Sequence, residues 1–217
     1  MNKQERALFI RKELASRYRN PKPPLNFSNP FTLLIAVLLS AQCTDERVNI
    51  VTKELFKKAR SPKTMYALGK KRIHEYIKTC GLAPKKSKAI FETSRILIEK
   101  FNSKVPQTIE ELVTLPGVGH KTASVVVEQA FGQPSFAVDT HIHRLAQRWK
   151  LTNGKSVVET EKDLKKLFPE DSWGDLHLQI IFYGREHCLA RKCYGLECEI
   201  CTTLFPKRRS KVITNKP

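Results

Sequence analysis

Long apolar runs, alternating strand-like patterns and acidic side chains are all scarce in this sequence of 217 residues. The longest apolar run, 31–39, is too short to cross a bilayer and predicts a buried helix instead. Residues 1–20 are charged throughout and contain no apolar core of the kind that a secretory signal has. We therefore expect a cytoplasmic protein without a membrane partner.

The scarcity of strand-like alternation argues against a β-rich fold. Two segments, 90–101 and 142–149, instead repeat their apolar side chains at the spacing of one helix face. The sequence therefore predicts an all-α fold. The stretch after Phe205 is rich in Lys and Arg and is expected to be a basic, mobile tail.

The shortage of acidic residues leaves 21 Asp and Glu against 39 Lys and Arg, a net charge of +18 at pH 7. Such an excess favours a polyanionic partner, because each phosphate that a protein neutralises releases condensed counterions. Residues 53–104 concentrate this charge. The alternative is a solvated basic surface that only aids solubility.

One segment predicts two short helices joined by a glycine turn. Thr108 and Glu111 have the spacing of a capping box, so a short helix is expected at 109–113. The Pro-Gly pair at 116–117 ends that helix, and a second helix is expected at 119–131. This helix–hairpin–helix would expose successive backbone N–H groups that bind a phosphate without reading sequence.

Gly117, Gly119 and Lys121 partly match two nucleotide-binding motifs, but the spacing excludes both. A P-loop needs four residues before its Gly-Lys pair, whereas one residue separates Gly117 from Gly119. The dinucleotide fingerprint needs a small residue at Thr122 and a preceding strand, whereas a helix is expected there. An ordinary helical hairpin with glycine caps is the structural alternative.

Lys121 and Asp139 are the candidate catalytic residues. Lys121 lies at the start of the second helix, whose positive end disfavours an added proton; partial burial would act in the same direction. A neutral amine is what a lysine nucleophile needs. Asp139 precedes a predicted helix, and capping it would keep the carboxylate ionised, as a cationic sugar transition state requires. The alternatives are a phosphate-contacting lysine and a purely structural cap.

In several motifs the sequence resembles the endonuclease III family of helix–hairpin–helix DNA glycosylases. The matching segments are Leu39-Ser40-Ala41-Gln42-Cys43-Thr44-Asp45, Leu115-Pro116-Gly117-Val118-Gly119-His120-Lys121-Thr122-Ala123, Ala137-Val138-Asp139-Thr140-His141, and Gly184-Arg185 with Cys188-Leu189-Ala190-Arg191-Lys192. The resemblance implies a two-lobed helix–hairpin–helix glycosylase fold. One lobe would be 21–131, and the other would combine 1–20 with 132–217, leaving a basic cleft in which Lys121 and Asp139 face each other.

The resemblance also implies a monomeric base-excision-repair enzyme that flips an oxidised pyrimidine out of damaged double-stranded DNA. Lys121 would attack the sugar C1′, expel the base and form a Schiff base, and β-elimination would then nick the strand. Asp139 would stabilise the sugar cation. The DNA contacts implied in this way are Gln42, Leu82, Gly117, Gly119, His141 and Arg191.

Gln42 and Leu82 would fill the gap that the flipped nucleotide leaves, beside phosphate-binding lysines at Lys85 and Lys86. For Leu82, ordinary core packing is the alternative. Two other functions stay open at this point: an adenine-mismatch glycosylase without a lyase step, and a non-catalytic module that only grips DNA.

Four cysteines, at 188, 193, 198 and 201, depart from the family spacing. The family pattern Cys-x6-Cys-x2-Cys-x5-Cys, counted from Cys188, places ligands at Gly195 and Leu204. The four thiolates Cys188, Cys193, Cys198 and Cys201 can nevertheless wrap a [4Fe–4S] cluster, since ligation depends on where the sulfurs meet in space. A zinc site with four cysteines and thiols without metal are the alternatives.

Overall fold

The computed structural model describes residues 1–216, which form helices and turns with no β-strand among them. The all-α prediction is confirmed. A single 3₁₀ turn, Glu170–Ser172, lies between two of the helices. The helices in chain order are α1 (Lys3–Arg17), α2 (Pro30–Ser40), α3 (Asp45–Lys58), α4 (Pro62–Leu68), α5 (Lys70–Ile77), α6 (Ala83–Lys100), α7 (Ile109–Leu112), α8 (His120–Phe131), α9 (Thr140–Arg148), α10 (Val157–Leu167), α11 (Trp173–Glu186) and α12 (Glu199–Leu204).

The helices belong to two compact units. The first, which we call the hairpin unit, is the continuous segment Pro23–Gln133. The second, which we call the cysteine unit, combines Met1–Lys22 with the chain from Pro134 onward. The hairpin unit therefore contains α2 to α8, and the cysteine unit contains α1 and α9 to α12.

The core of the hairpin unit is built around α2. Every side chain from Phe31 to Leu39 is buried, which explains why this helix has no polar face. Its first turn is fixed by Asn29, whose side chain accepts a hydrogen bond from the Thr32 N–H at 2.9 Å. Helices α3, α6 and α8 pack against it. The sequence-based prediction of a buried helix at 31–39 is confirmed.

The core of the cysteine unit lies between α9 and α11. Ile142 and Leu145 on α9 are fully buried with Tyr183 on α11, as the helical spacing of 142–149 predicts. Trp149, just after α9, is 6.1 Å from the Tyr183 ring between centroids. The sulfurs of the four clustered cysteines belong to the same core.

The prediction of a mobile C-terminal tail is wrong for the described residues up to 216. Arg208 donates hydrogen bonds to the Gly195 and Arg148 carbonyl oxygens at 3.0 and 2.9 Å. Farther along, Asn215 and Gln147 exchange a reciprocal pair of hydrogen bonds. Backbone and side-chain hydrogen bonds thus dock a segment whose composition alone is typical of a solvated tail.

Across residues 1–216, we find no helix that is both long and apolar enough to span a membrane.

Candidate active site and cysteine cluster

The glycine turn between α7 and α8 has the predicted helix–hairpin–helix form. The Thr108 hydroxyl accepts a hydrogen bond from the Glu111 N–H and so caps α7. The chain then reverses through a turn in which the Val118 N–H donates to the Leu115 carbonyl oxygen at 3.1 Å. Helix α8 begins directly afterwards at His120.

Gly117 is required by the geometry of this turn. Its φ of +78° lies in the left-handed region that disfavours side chains. A Cβ atom here would lie 3.0 Å from the Ala89 Cβ and 3.3 Å from the Leu38 Cδ1. The Thr93 hydroxyl also donates to the Pro116 carbonyl oxygen at 3.2 Å. The turn is therefore seated firmly on α2 and α6.

Gly119 differs from Gly117 because its neighbourhood is open. A Cβ atom at Gly119 would meet nothing within 4 Å, and its φ of −94° suits any residue. Gly119 is the N-cap of α8 and has no side chain that could accept from the N–H groups of the first turn. The exposed turn and the positive end of α8 together form a surface suited to an anion.

Lys121 is the second residue of α8 and is exposed. Its exposure does not match the partial burial that would have aided its nucleophilicity. The amine therefore reaches solvent beside the glycine turn, at the positively polarised end of the helix.

Asp139 belongs to the cysteine unit and is the N-cap of α9. Its Oδ1 atom accepts a hydrogen bond from the Ile142 N–H at 2.8 Å. The expected capping role is confirmed by this bond. The side chain is half-buried, so the carboxylate still reaches the surface.

His141 lies within the first turn of α9, two residues after Asp139, and burial lowers its pKa below the ordinary 6.5. The Arg144 guanidinium lies 3.3 Å from the His141 Nδ1 atom. It also donates to the carbonyl oxygens of Gly184 and Cys188 at 3.0 and 3.1 Å. Arg144 thereby connects the start of α9 to α11 and to the first cysteine.

Gln42 and Leu82 lie at the tips of two turns that touch each other. Both residues have positive φ, at 54° and 61°. A Cβ atom at Gly81 would lie only 2.6 Å from the Gln42 carbonyl oxygen, so only glycine permits this approach. Leu82 is 47% exposed, which rules out the core-packing alternative for its side chain.

Lys86 has a different position from the one that the sequence predicted. Its side chain is buried, and its Nζ atom donates to the carbonyl oxygens of Leu39 and Ala41 at 2.8 and 2.6 Å. Burial lowers the pKa of this amine. Lys86 therefore caps the C-terminus of α2 and is not a phosphate contact, whereas Lys85 remains exposed.

The four cysteines at 188, 193, 198 and 201 converge despite their unusual spacing. All four are buried, and their Sγ atoms lie within 4.8 Å of one another. The Cys198 N–H donates to the Cys193 Sγ at 3.4 Å. Such a group of thiols suits a metal ion or an iron–sulfur cluster.

Arg148 was missed by the sequence analysis and organises this loop. It is 1% exposed and donates to the Cys188 Sγ at 3.2 Å. The same guanidinium donates to the carbonyl oxygens of Cys188, Leu189 and Ala190. The only signal in the sequence is an arginine beside the apolar stripe of α9, one helical turn after Arg144. Arg191, in the same loop, is exposed.

Comparison with known proteins places this arrangement in a family. Residues 35–170 match the model of the HhH-GPD superfamily base excision DNA repair proteins. Endonuclease III of Escherichia coli strain K12 is 47% identical over 192 residues, which are 88% of this chain and 90% of that protein. Endonuclease III of Bacillus subtilis strain 168 is 42% identical over 193 residues, 88% of each chain.

A solved structure of a trapped endonuclease III–DNA covalent intermediate is similar to this chain with a TM-score of 0.87 and 42% identity. The similarity covers 92% of this chain and 94% of that one. The predicted family resemblance is thus confirmed by sequence and by fold. The chain belongs to the endonuclease III family, whose members are base excision DNA repair enzymes.

Proposed function

We propose that this chain removes oxidised pyrimidines from double-stranded DNA and cleaves the resulting abasic site by β-elimination. The observation that carries the proposal is Lys121, an exposed amine at the N-terminus of α8 directly after a glycine turn suited to phosphate. A relative has been trapped as a covalent intermediate with DNA, which is the species that an amine nucleophile forms.

The helix–hairpin–helix binds the DNA backbone. Exposed N–H groups near Gly117 and Gly119 bind a phosphate, and the dipole of α8 adds to the attraction. Such contacts hold the strand in register without reading its sequence. Specificity for the lesion then comes from base flipping, which costs less free energy for a damaged base than for an intact pair.

Gln42 and Leu82 stabilise the duplex while the damaged nucleotide is flipped out of it. Leu82 offers an exposed apolar side chain that can enter the base stack, and Gln42 offers an amide that can pair with an orphaned base. The left-handed backbone at both tips projects these side chains from adjoining turns.

The Lys121 amine attacks C1′ of the flipped nucleotide, and the bond to the base breaks. The sugar ring opens to give an imine between C1′ and Nζ. Loss of a proton from C2′ then expels the 3′ phosphate, and hydrolysis of the imine releases the enzyme. The neutral form of a lysine amine is the nucleophile that begins this sequence.

Asp139 stabilises the positive charge that develops on the sugar as the base leaves. Its Oδ1 atom accepts a hydrogen bond from the Ile142 N–H, which fixes the carboxylate at the start of α9. Removing one preorganised group of this kind typically lowers the rate by a factor of about 10² to 10³.

The four-cysteine loop is proposed to hold a [4Fe–4S] cluster through Cys188, Cys193, Cys198 and Cys201. Four buried sulfurs with N–H donors beside them fit thiolate ligation. These four residues would hold the cluster, which would have a structural role: it would fix the loop that carries Arg191, the proposed contact to DNA phosphates. A zinc ion is the alternative occupant of this site. Zinc–sulfur bonds of about 2.3 Å would place the four thiolates about 3.8 Å apart.

Borohydride trapping tests the chemistry. The protein is incubated with a duplex that contains one abasic site, and borohydride reduces the imine to a stable adduct. We expect an adduct from the native protein and from Lys85→Ala, and none from Lys121→Ala. Lys85 is the matched control because it is an exposed lysine at another helix start. A folded native protein that gives no adduct contradicts the proposal and favours a mismatch glycosylase or a DNA-binding module.

Iron, sulfide and zinc analysis tests the metal assignment. We expect a brown protein with iron and acid-labile sulfide in equal amounts. Stoichiometric zinc in a colourless, active protein would instead identify a single-ion site.

A further inference from the structure

The chain after α12 packs against the cysteine loop, and we call residues 208–215 the C-terminal strap. At one end of the strap, Arg208 donates to the Arg148 carbonyl oxygen at 2.9 Å. At the other end, Asn215 donates to the Gly154 carbonyl oxygen at 3.0 Å. Arg148 is the last residue of α9, and Gly154 follows in the next loop. The strap is therefore fixed at both ends to a part of the chain outside the cysteine loop.

The cysteine loop makes a tight turn directly after its second cysteine. The Leu196 N–H donates to the Cys193 carbonyl oxygen at 2.8 Å. The two residues between them, Tyr194 and Gly195, both have positive φ, at 46° and 80°. Positive φ at both central positions is typical of a type I′ turn, in which Gly, Asn and Asp are usual. A tyrosine in this conformation costs free energy, so the turn needs support from outside.

The middle of the strap supplies that support. The Val212 N–H donates to the Tyr194 carbonyl oxygen at 2.9 Å, and the Lys211 amine lies 4.8 Å from the centroid of the Tyr194 ring. Arg208 donates to the Gly195 carbonyl oxygen at 3.0 Å. A Cβ atom at Gly195 would lie 2.6 Å from the Arg208 guanidinium and 3.1 Å from the Val212 side chain. The strap thus lies so close to the turn that only glycine fits between them.

Arg148 connects the same turn to the first cysteine. Its guanidinium lies 5.8 Å from the centroid of the Tyr194 ring and donates to the Cys188 Sγ at 3.2 Å. The Sγ atoms of Cys188 and Cys193 are 3.5 Å apart. The turn that the strap holds therefore lies beside two of the four sulfurs.

The strap is held by groups that can be released. Its anchors are hydrogen bonds to neutral carbonyl and amide groups, and in the described part of the chain no ion pair joins the strap to the rest of the protein. Ile213 within it is 80% exposed. Segments bound in this way open locally without unfolding of the whole protein.

We infer that the C-terminal strap is a reversible device that positions Cys193 and thereby controls how firmly the four-cysteine site retains its metal. With the strap bound, the Tyr194–Gly195 turn keeps its left-handed form and Cys193 stays among the other three sulfurs. With the strap released, the turn relaxes and Cys193 moves away. Groups that orient a metal ligand typically change metal affinity about 10- to 100-fold. The effect on metal retention rests on the metal site proposed above, whereas the effect on Cys193 depends on the strap alone.

Alkylation of the full-length, metal-free protein tests the position of Cys193. The protein is stripped of metal with a chelator and treated with iodoacetamide, and mass spectrometry gives the rate at each cysteine. We expect Arg208→Gln to raise the rate at Cys193 about tenfold, and much more than the rates at the other three. Arg209→Gln is the matched control, because Arg209 carries the same charge but donates only to the carbonyl oxygens of Pro206 and Arg208. An unchanged rate at Cys193, or an equal rise in the control, overturns the inference.

Release of metal to excess chelator tests the consequence in the loaded protein. We expect Arg208→Gln to release iron or zinc about tenfold faster than the native protein and Arg209→Gln. Val212→Pro removes the N–H donor to Tyr194 at another point of the strap and should act in the same direction. Circular dichroism checks that each variant is folded. Native release rates in both strap variants overturn the inference.

A second substitution tests whether the strap acts through the turn. Asparagine accepts positive φ more readily than tyrosine, so Tyr194→Asn should let the turn keep its form without the strap. We expect Tyr194→Asn to return the Cys193 alkylation rate of Arg208→Gln to within about threefold of the native rate. No rescue overturns the role of the turn. Native protein that is purified without metal contradicts the proposed cluster alone, because the alkylation experiment needs no metal.

Discussion

The two units position their candidate catalytic residues in different ways. In the hairpin unit, Lys121 is positioned by backbone conformation: a left-handed glycine, a close approach to α2 and α6, and the start of a helix. In the cysteine unit, Asp139 begins a helix that long side chains hold in place, since Arg144 and Arg148 on α9 donate to backbone carbonyls of the cysteine loop.

This difference teaches how the fixed element of each unit would be lost. A turn fixed by backbone geometry is sensitive to one added methyl group. A helix held by buried guanidinium groups is sensitive to loss of donors, because carbonyl oxygens left without partners carry a desolvation cost. Four tests examine the two cases, and we take them from the largest expected effect to the smallest.

Arg148→Met has the largest expected effect on stability. The change keeps an unbranched apolar side chain but removes the donors to Cys188, Leu189 and Ala190. We expect the free energy of unfolding to fall by at least about 3 kcal/mol, because several buried acceptors lose their partner together. Denaturant unfolding followed by circular dichroism measures it, with metal content as a second readout. Arg191→Met is the control on the same loop, and an equal loss there would break the comparison.

Gly117→Ala tests the hairpin unit. The added Cβ meets Ala89 and Leu38 at a residue whose φ is +78°. We expect a loss of about 2 kcal/mol from left-handed strain and crowding. The matched change Gly119→Ala adds the same methyl group in open space and should alter the unfolding free energy by less than about 0.5 kcal/mol. Equal losses at both glycines would show that the turn is not fixed by its backbone.

Two substitutions at Asp139 distinguish its capping role from its proposed catalytic role. Asp139→Ala removes the acceptor for the Ile142 N–H and should cost about 1 kcal/mol of stability. Asp139→Asn keeps a good N-cap but removes the charge, so stability should stay near that of the native protein while base release slows about 10² to 10³-fold. Thermal unfolding and single-turnover base release measure the two effects. An Asn variant with full activity would leave Asp139 as a cap only.

His143 gives the smallest effect, in the cysteine unit. It is fully buried with its Nδ1 atom 2.8 Å from the Thr160 hydroxyl, and burial lowers its pKa below 6.5. Below pH 6.5 the unfolded chain therefore binds more protons than the folded one, and stability falls as the pH falls toward the lowered value. Melting temperatures at pH 7.5 and 5.5 measure the decrease, which should be smaller in His143→Gln. An unchanged slope in that variant would assign the pH dependence to other groups.

Local signals in the sequence were enough to predict some of the helices and much of the hairpin. Capping by Thr108 and Asp139, the buried run 31–39 and the glycine turn all depend on residues close together in the chain, and each is confirmed. The observed α7 ends at Leu112, one residue before the predicted end. Short-range rules predict such features because their physical causes are short-range.

The failures involve long-range partners. Lys86 looks like a surface lysine in a basic segment, but its acceptors lie 45 and 47 residues earlier. Arg148 finds its acceptors at the cysteine loop, 40 residues later and beyond. The cysteine loop shows the opposite kind of failure. The family spacing argues against a shared site for the four cysteines, yet the fold brings their sulfurs within 4.8 Å of one another. Which polar groups share a buried site is decided by tertiary packing.

The division of the chain into a continuous unit and a discontinuous one has a consequence for synthesis. The hairpin unit, Pro23–Gln133, can complete its core on the ribosome as soon as it has emerged. Helix α1 precedes the hairpin unit in the chain, yet its packing partner α11 follows that unit. Helix α1 therefore stays without this partner until the hairpin unit has been made, and the four cysteines of the cysteine loop follow α11 in the chain.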